Sequence, residues 1–147
     1  MKSSILDFIK IHLKVLTASL AISLSFAFVS ELLHEDNENF ESLSDMIIIC
    51  LILAPLIETL LCQYIPMILL IKLKFNTNIQ ILVSSIIFSV GHYYSISYMI
   101  FMFILGMLWA WYTNYCRNNF NNCYWPVVFL HFNYNLIIIV VQNINHI

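Results

Sequence analysis

A run of apolar residues from position 46 to position 71 decides what this chain can fold into, because about 20 such residues are enough to cross a lipid bilayer. Glu58 lies near the middle of that run. A carboxylate at this depth costs on the order of 3 kcal/mol unless it is paired, protonated or hydrated. An acid inside a membrane span therefore predicts a functional site, and the polar residues of the other apolar stretches are candidates for its partners.

The composition extends this interpretation to the whole chain. Of its 147 residues, 61% are hydrophobic and only 10% are charged, whereas a soluble domain carries about 25% charged residues. The net charge of -2 and the lack of a basic tract argue against nucleic acid as a partner. We therefore predict an all-α fold, a polytopic membrane helix bundle of about five transmembrane helices, with the lipid bilayer around it.

Hydropathy divides the chain into five predicted spans. They cover about residues 15–33, 46–73, 79–93, 96–115 and 124–141, with an acidic loop at 34–45 and a polar loop at 116–123. The first stretch contains a small-x-small pattern, Ser25-x-Ala27, that is compatible with a signal peptide, but its long n-region favours a membrane span. We therefore divide the chain into an N-terminal span with its acidic loop, residues 1–45, and a core, residues 46–147.

The basic residues predict the orientation of these spans. The N-terminal lysines, the pair Lys72 and Lys74, and Arg117 follow zero, two and four predicted crossings. All six basic residues thus fall on one side of the membrane, which the positive-inside rule assigns to the cytoplasm. We expect an integral membrane protein with a cytoplasmic N-terminus and an extracytoplasmic C-terminus.

Three of the predicted helices carry polar residues among apolar ones. His131 and Asn135 are four residues apart in the fifth span, so they share one helical face, and Phe88 and His92 have the same spacing in the third. A single histidine or asparagine in a span is often only an interhelical hydrogen-bond anchor, worth roughly 0.6 to 2 kcal/mol. Together with Glu58, these groups instead predict a cluster that water or substrate must enter.

The residue types limit the chemistry of such a cluster. A carboxylate and an imidazole can together deprotonate a water molecule, and a second imidazole and an amide can donate hydrogen bonds to a developing oxyanion. These groups are sufficient for peptide hydrolysis without a nucleophilic serine or cysteine. Glu58, His92 and His131 could also bind zinc, but the sequence has no HExxH motif, so we expect no metal and no other cofactor.

Three short patterns resemble the CAAX protease and bacteriocin-processing (Abi) family of intramembrane proteases, which includes the type II CAAX prenyl endopeptidases. The family pattern is Glu-Glu-xxx-Arg, then Phe-xxx-His, then His-xxx-Asn, on separate membrane helices. In this chain Phe88 and His92 match the second pattern, and His131 and Asn135 match the third. Glu58 matches the leading glutamate of the first.

The resemblance covers about residues 46–141 and implies an intramembrane endopeptidase that hydrolyses a peptide bond of a membrane-associated protein or peptide. Glu58 and His92 would activate the water, and His131 and Asn135 would form the oxyanion site. Small bacterial members of the family are associated with bacteriocin maturation or self-immunity. The resemblance therefore implies a bacterial cell membrane and a substrate that need not be prenylated.

The first pattern is incomplete in this chain. Thr59 stands where the family has its second glutamate, and Gln63 stands where it has arginine. We expect both residues, with Phe88, to support the site without reacting. The loss of both charges leaves a second interpretation open, a non-enzymatic bacteriocin-immunity or membrane scaffold protein with a lapsed protease site. A transporter subunit that uses Glu58 as a proton site is disfavoured, because transporters usually contain internal repeats and none is visible here.

Overall fold

The computed structural model describes residues 4–33, 47–93, 95–120 and 122–144, so the predicted acidic loop at 34–45 lies outside the described residues. Within these ranges the regular structure is entirely helical. The helices are α1 (Ile5–Leu33), α2 (Ile47–Lys72), α3 (Thr77–Val90), α4 (Ile96–Asn119) and α5 (Tyr124–Ile144). The predicted all-α bundle of five helices is confirmed.

The five helices are not equally long. In the part of the chain that the structure describes, α1, α2, α4 and α5 are long and apolar enough to cross a membrane. Helix α3 has 14 residues, which at the usual rise per residue correspond to about 21 Å, less than the roughly 30 Å of a hydrocarbon core. The predicted third span, residues 79–93, is thus a shorter helix that ends at Val90, and His92 lies in the turn that follows it.

Helix α1 begins at Ile5, earlier than the predicted start near residue 15. The reason is a capping box, in which the Asp7 N–H donates to Ser4 Oγ at 3.1 Å and the Ser4 N–H donates to the Asp7 carboxylate at 3.0 Å. Because these bonds satisfy backbone N–H groups that have no partner within the helix, the first turn is stable at this point.

Helix α4 continues to Asn119, into the segment 116–123 that was predicted as a loop. Cys116 is completely buried in the core, so the backbone there has a packed environment in which to remain helical. Arg117 lies in the last turn, where a positive charge is favoured by the helix dipole. The polar residues of this segment therefore belong to the last turn of the helix, and the loop begins only after Asn119.

Helix α2 is not a regular α-helix. It is π-helical over Ile47–Leu53 and Thr59–Tyr64, and α-helical over Ala54–Glu58 and Ile65–Lys72. Each π-helical segment ends two residues before a proline, Pro55 or Pro66. In a π-helix each N–H donates to the carbonyl five residues earlier, and proline has no N–H, so neither series of bonds can pass its proline. Glu58 directly precedes the second π-helical segment, and short π-helical segments are frequent at functional sites.

Helix α4 forms the centre of the bundle. Its buried residues are Phe101, Met102, Leu105, Gly106, Trp109, Ala110, Tyr112, Thr113 and Cys116. A Cβ atom at Gly106 would lie 3.0 Å from Phe88 Cδ1 and 3.3 Å from Ser85 Cα, so the glycine permits the close packing of α3 against α4. This packing brings the C-terminal end of α3, and with it His92, next to the helices that carry the other polar residues.

Candidate active site

Three helices bring one carboxylate and two imidazoles together. Glu58 Oε2 lies 3.6 Å from His92 Nε2 and 3.9 Å from His131 Nε2. Glu58 comes from α2, His92 from the turn after α3, and His131 from α5. The side chain of Glu58 is 30% exposed, while those of His92 and His131 are 12% and 5% exposed, so the cluster opens to its surroundings mainly at the carboxylate.

The turn after α3 fixes the ring of His92. The His92 N–H donates to the Ser89 carbonyl at 3.0 Å, and the ring Nδ1 lies 2.8 Å from the Phe88 carbonyl oxygen. Because a carbonyl oxygen can only accept, we assign the proton to Nδ1. In the neutral ring, Nε2 then faces Glu58 as a hydrogen-bond acceptor.

The neutral ring of His92 and the carboxylate of Glu58 present hydrogen-bond acceptors to each other. An imidazole lone pair and a carboxylate both accept hydrogen bonds, so the two atoms attract each other only through a shared proton or a bridging water molecule. Their separation of 3.6 Å is longer than a direct N–H···O hydrogen bond of about 2.7–3.2 Å. A direct hydrogen bond therefore does not join the two atoms.

Aromatic side chains surround both histidines. The Phe88 ring centroid lies 4.8 Å from that of His92 and 6.4 Å from that of His131. The Trp109 ring centroid lies 4.6 Å from that of His131, and its Nε1 donates to Ser19 Oγ at 2.9 Å. Sequence reasoning missed Trp109. Its signal was its place near the middle of a span, since tryptophan in membrane proteins is enriched at the interfaces.

Asn135 lies one helical turn after His131 on α5, but its amide contacts a different part of α2. Its Nδ2 donates to the Cys50 carbonyl oxygen at 2.7 Å. The structure thus brings Glu58, His92 and His131 together and joins Asn135 to the first π-helical segment of α2. The oxyanion role of Asn135 stays a prediction.

Thr59 and Gln63 lie beside Glu58 and are buried, with exposures of 1% and 0%. Gln63 Oε1 accepts a hydrogen bond from Ser84 Oγ of α3 at 2.9 Å. Thr59 Oγ1 and Gln63 Nε2 have no hydrogen-bond partner among the described residues, so the two side chains do not bond to each other. They face the protein interior behind the carboxylate and contribute no group to the cluster of Glu58 with the two histidines.

A metal ion needs several ligating side chains directed at one point. Within the described ranges, no group of three or more His, Cys, Asp or Glu side chains is placed to hold a metal ion. Independence from metal stays a prediction.

The fold and the site together define a polytopic membrane protein with a carboxylate and two imidazoles meeting among its helices. The model of one family, type II CAAX prenyl endopeptidase Rce1-like, matches residues 41–137. Because the match covers more than half of the chain, the protein belongs to this family of CAAX-type membrane proteases, and the resemblance seen in the three sequence patterns is confirmed. Searches of curated proteins and of solved structures gave no match to the chain.

Proposed function

We propose that this protein is an intramembrane endopeptidase that hydrolyses a peptide bond of a membrane-associated protein or peptide. The observation that carries the proposal is the approach of Glu58 Oε2 to the Nε2 atoms of both His92 and His131, at 3.6 and 3.9 Å. Membership of the Rce1-like family supports the same class of reaction.

The reaction begins with a water molecule held between Glu58 Oε2 and His92 Nε2. Glu58 accepts one proton from this water, and His92 accepts a hydrogen bond from its second O–H, so that the oxygen attacks the scissile carbonyl carbon. The carbonyl oxygen becomes an oxyanion, and the Nε2–H of His131 donates a hydrogen bond to it. Glu58 then passes its proton to the departing amine, which restores the carboxylate and releases the two peptides.

The surroundings favour these steps. His131 is nearly buried against Trp109 and Phe88, so its hydrogen bond to the oxyanion acts in a medium of low dielectric constant, where it is stronger than in water. Glu58 keeps a partly exposed side chain, which gives a water molecule and a peptide a route to the carboxylate.

The test compares wild-type protein with Glu58→Gln, purified in detergent and incubated with a peptide library. We expect the wild type to cleave some peptides and Glu58→Gln to lose about 10²–10⁴-fold in kcat, as for the loss of a general base. Asp7→Asn is the matched control, because it also changes a carboxylate to an amide but lies exposed at the start of α1. It should cleave like the wild type.

Two outcomes would contradict the proposal. Cleavage by Glu58→Gln at the wild-type rate would exclude the carboxylate as the base. A protein that cleaves no peptide, but whose biological effect survives Glu58→Ala, would favour the immunity or scaffold interpretation.

A further inference from the structure

Two prolines of α2 lie where side chains from neighbouring helices bond to its backbone. Pro55 is five residues after Cys50, whose carbonyl oxygen accepts a hydrogen bond from Asn135 Nδ2 of α5 at 2.7 Å. Pro66 is four residues after Cys62, whose carbonyl oxygen lies 2.6 Å from Ser84 Oγ of α3. A spacing of five residues is that of a π-helical backbone hydrogen bond, and a spacing of four residues is that of an α-helical one.

The first proline explains why the Cys50 carbonyl bonds to a side chain. Within the π-helical segment Ile47–Leu53, the next bond of the i→i+5 series would run from residue 55 to this oxygen. Proline has no N–H with which to make it. The amide of Asn135 supplies a donor to the same oxygen, and it does so from the helix that carries His131.

The bond also determines which way the Asn135 amide faces. A carbonyl oxygen only accepts, so the contact requires Nδ2, and not Oδ1, on the side of α2. A primary amide has two N–H groups, and the bond to Cys50 uses one of them. The amide is thus held as a donor, with a second N–H that remains for another acceptor.

We infer that Pro55 is a positioning residue, which by withholding an N–H from the Cys50 carbonyl orients the Asn135 amide as a hydrogen-bond donor for the oxyanion. This inference rests on the proposed endopeptidase function and assigns a part of it to a residue outside the reacting cluster. Pro66 also lacks a backbone N–H, but it lies near Ser84 of α3 and not near Asn135, so it serves as the control.

The test is a double-mutant cycle with Pro55→Ala, which restores the backbone N–H, and Asn135→Leu, which removes the amide. We expect Asn135→Leu to lower kcat by about 10²–10³-fold, as for an oxyanion donor. Pro55→Ala should lower kcat by about tenfold or more with little change in KM, because the amide then competes with a backbone N–H. The double variant should be no slower than Asn135→Leu alone.

Pro66→Ala is the matched control, since it restores an N–H at the other proline. Its effect on kcat should add to that of Asn135→Leu, because the two sites share no partner. Additive losses for Pro55→Ala with Asn135→Leu would overturn the inference. An unchanged kcat in Asn135→Leu alone would also overturn the inference, whatever kcat the Pro55→Ala variant shows.

A readout without cleavage separates this inference from the proposed function. Asn135→Leu should lower the Tm of the detergent-solubilised protein by about 2–4 °C, the shift expected per kcal/mol for a chain of this size, but by less in the Pro55→Ala background. This coupling is expected even if no peptide is cleaved, in which case the proposed function fails and the contact through Cys50 stands. Equal shifts of Tm in both backgrounds would overturn the contact itself.

Discussion

Replacing Ser19 by alanine is expected to weaken the candidate site, although Ser19 lies in α1, outside the family match at residues 41–137. Ser19 Oγ accepts a hydrogen bond from Trp109 Nε1 at 2.9 Å, and both residues are buried. The Trp109 ring packs on His131 with a centroid distance of 4.6 Å. The bond from α1 therefore holds the indole that forms one wall of the His131 environment.

Alanine at position 19 would leave the buried Trp109 Nε1–H without its acceptor, and this sets the expected loss of stability. A buried donor without a partner costs about 1–3 kcal/mol in a soluble protein. Interhelical hydrogen bonds in membrane proteins are worth less, about 0.6 kcal/mol on average and about 1.7 at most, because separated helices also find partners in the bilayer. The membrane values apply here, since Ser19 and Trp109 lie on different membrane helices. We expect a loss of about 0.6–1.7 kcal/mol, equivalent to a Tm lower by about 1–7 °C.

The assay is thermal unfolding in detergent, combined with kcat on any peptide that the wild type cleaves. Ser25→Ala is the matched control, because Ser25 is exposed and its Oγ donates to the Ala21 carbonyl of the same helix at 2.9 Å. We expect Ser19→Ala to lower both Tm and kcat, and Ser25→Ala to change neither. Trp109→Phe should cancel the effect of Ser19→Ala on Tm, because it removes the donor. Equal Tm and kcat values for the two serine variants would refute the reasoning.

Two further predictions concern orientation and the incomplete first pattern. A reporter fused after Ile147 should be extracytoplasmic and one inserted at 116–123 cytoplasmic, because this arrangement keeps all six basic residues inside; a cytoplasmic C-terminal reporter would contradict it. Thr59→Glu or Gln63→Arg alone should destabilise the protein by about 3–5 kcal/mol, because each buries an unpaired charge. The double variant should recover part of this loss, since residues four apart on a helix can pair. Unfolding of the three variants in detergent measures this, and strictly additive losses would exclude a pair.

The helices and the central cluster could be predicted from sequence because their signals are local. Each long apolar run forms a helix, and an acid or histidine inside such a run must contact other polar groups in the interior of the bundle, away from lipid. The spacing of four residues in the second and third patterns placed Phe88 with His92, and His131 with Asn135, on common faces. The contacts of Glu58 with both histidines agree with this reasoning.

The π-helical segments of α2 could not be predicted in the same way. A helix that is apolar on every side has no hydrophobic periodicity from which to distinguish a π-helical turn from an α-helical one. A proline in a helix indicates that the regular backbone bonds are interrupted, but it does not indicate how the backbone rearranges before it. The hydrogen-bond partners of Asn135 and Trp109 could not be predicted either, because these partners lie on helices distant in sequence. Only the packing of the helices decides which carbonyl or hydroxyl each side chain contacts.

The structure also bears on whether the departures from the family pattern imply a lapsed site. Within the segment that corresponds to the first family pattern, residues 58–63, the charge lies only at Glu58, whose side chain is partly exposed, while Thr59 and Gln63 are buried. An acid and a base at the enclosed positions would both have to be removed from water, and replacing a buried ion pair by neutral residues is often neutral or stabilising by about 1–4 kcal/mol. The two substitutions therefore avoid a desolvation cost behind the site and remove no group that contacts the histidines. The burial of Thr59 and Gln63 thus favours the proposed protease over a lapsed site, because the two departures from the family pattern leave Glu58, His92 and His131 in contact.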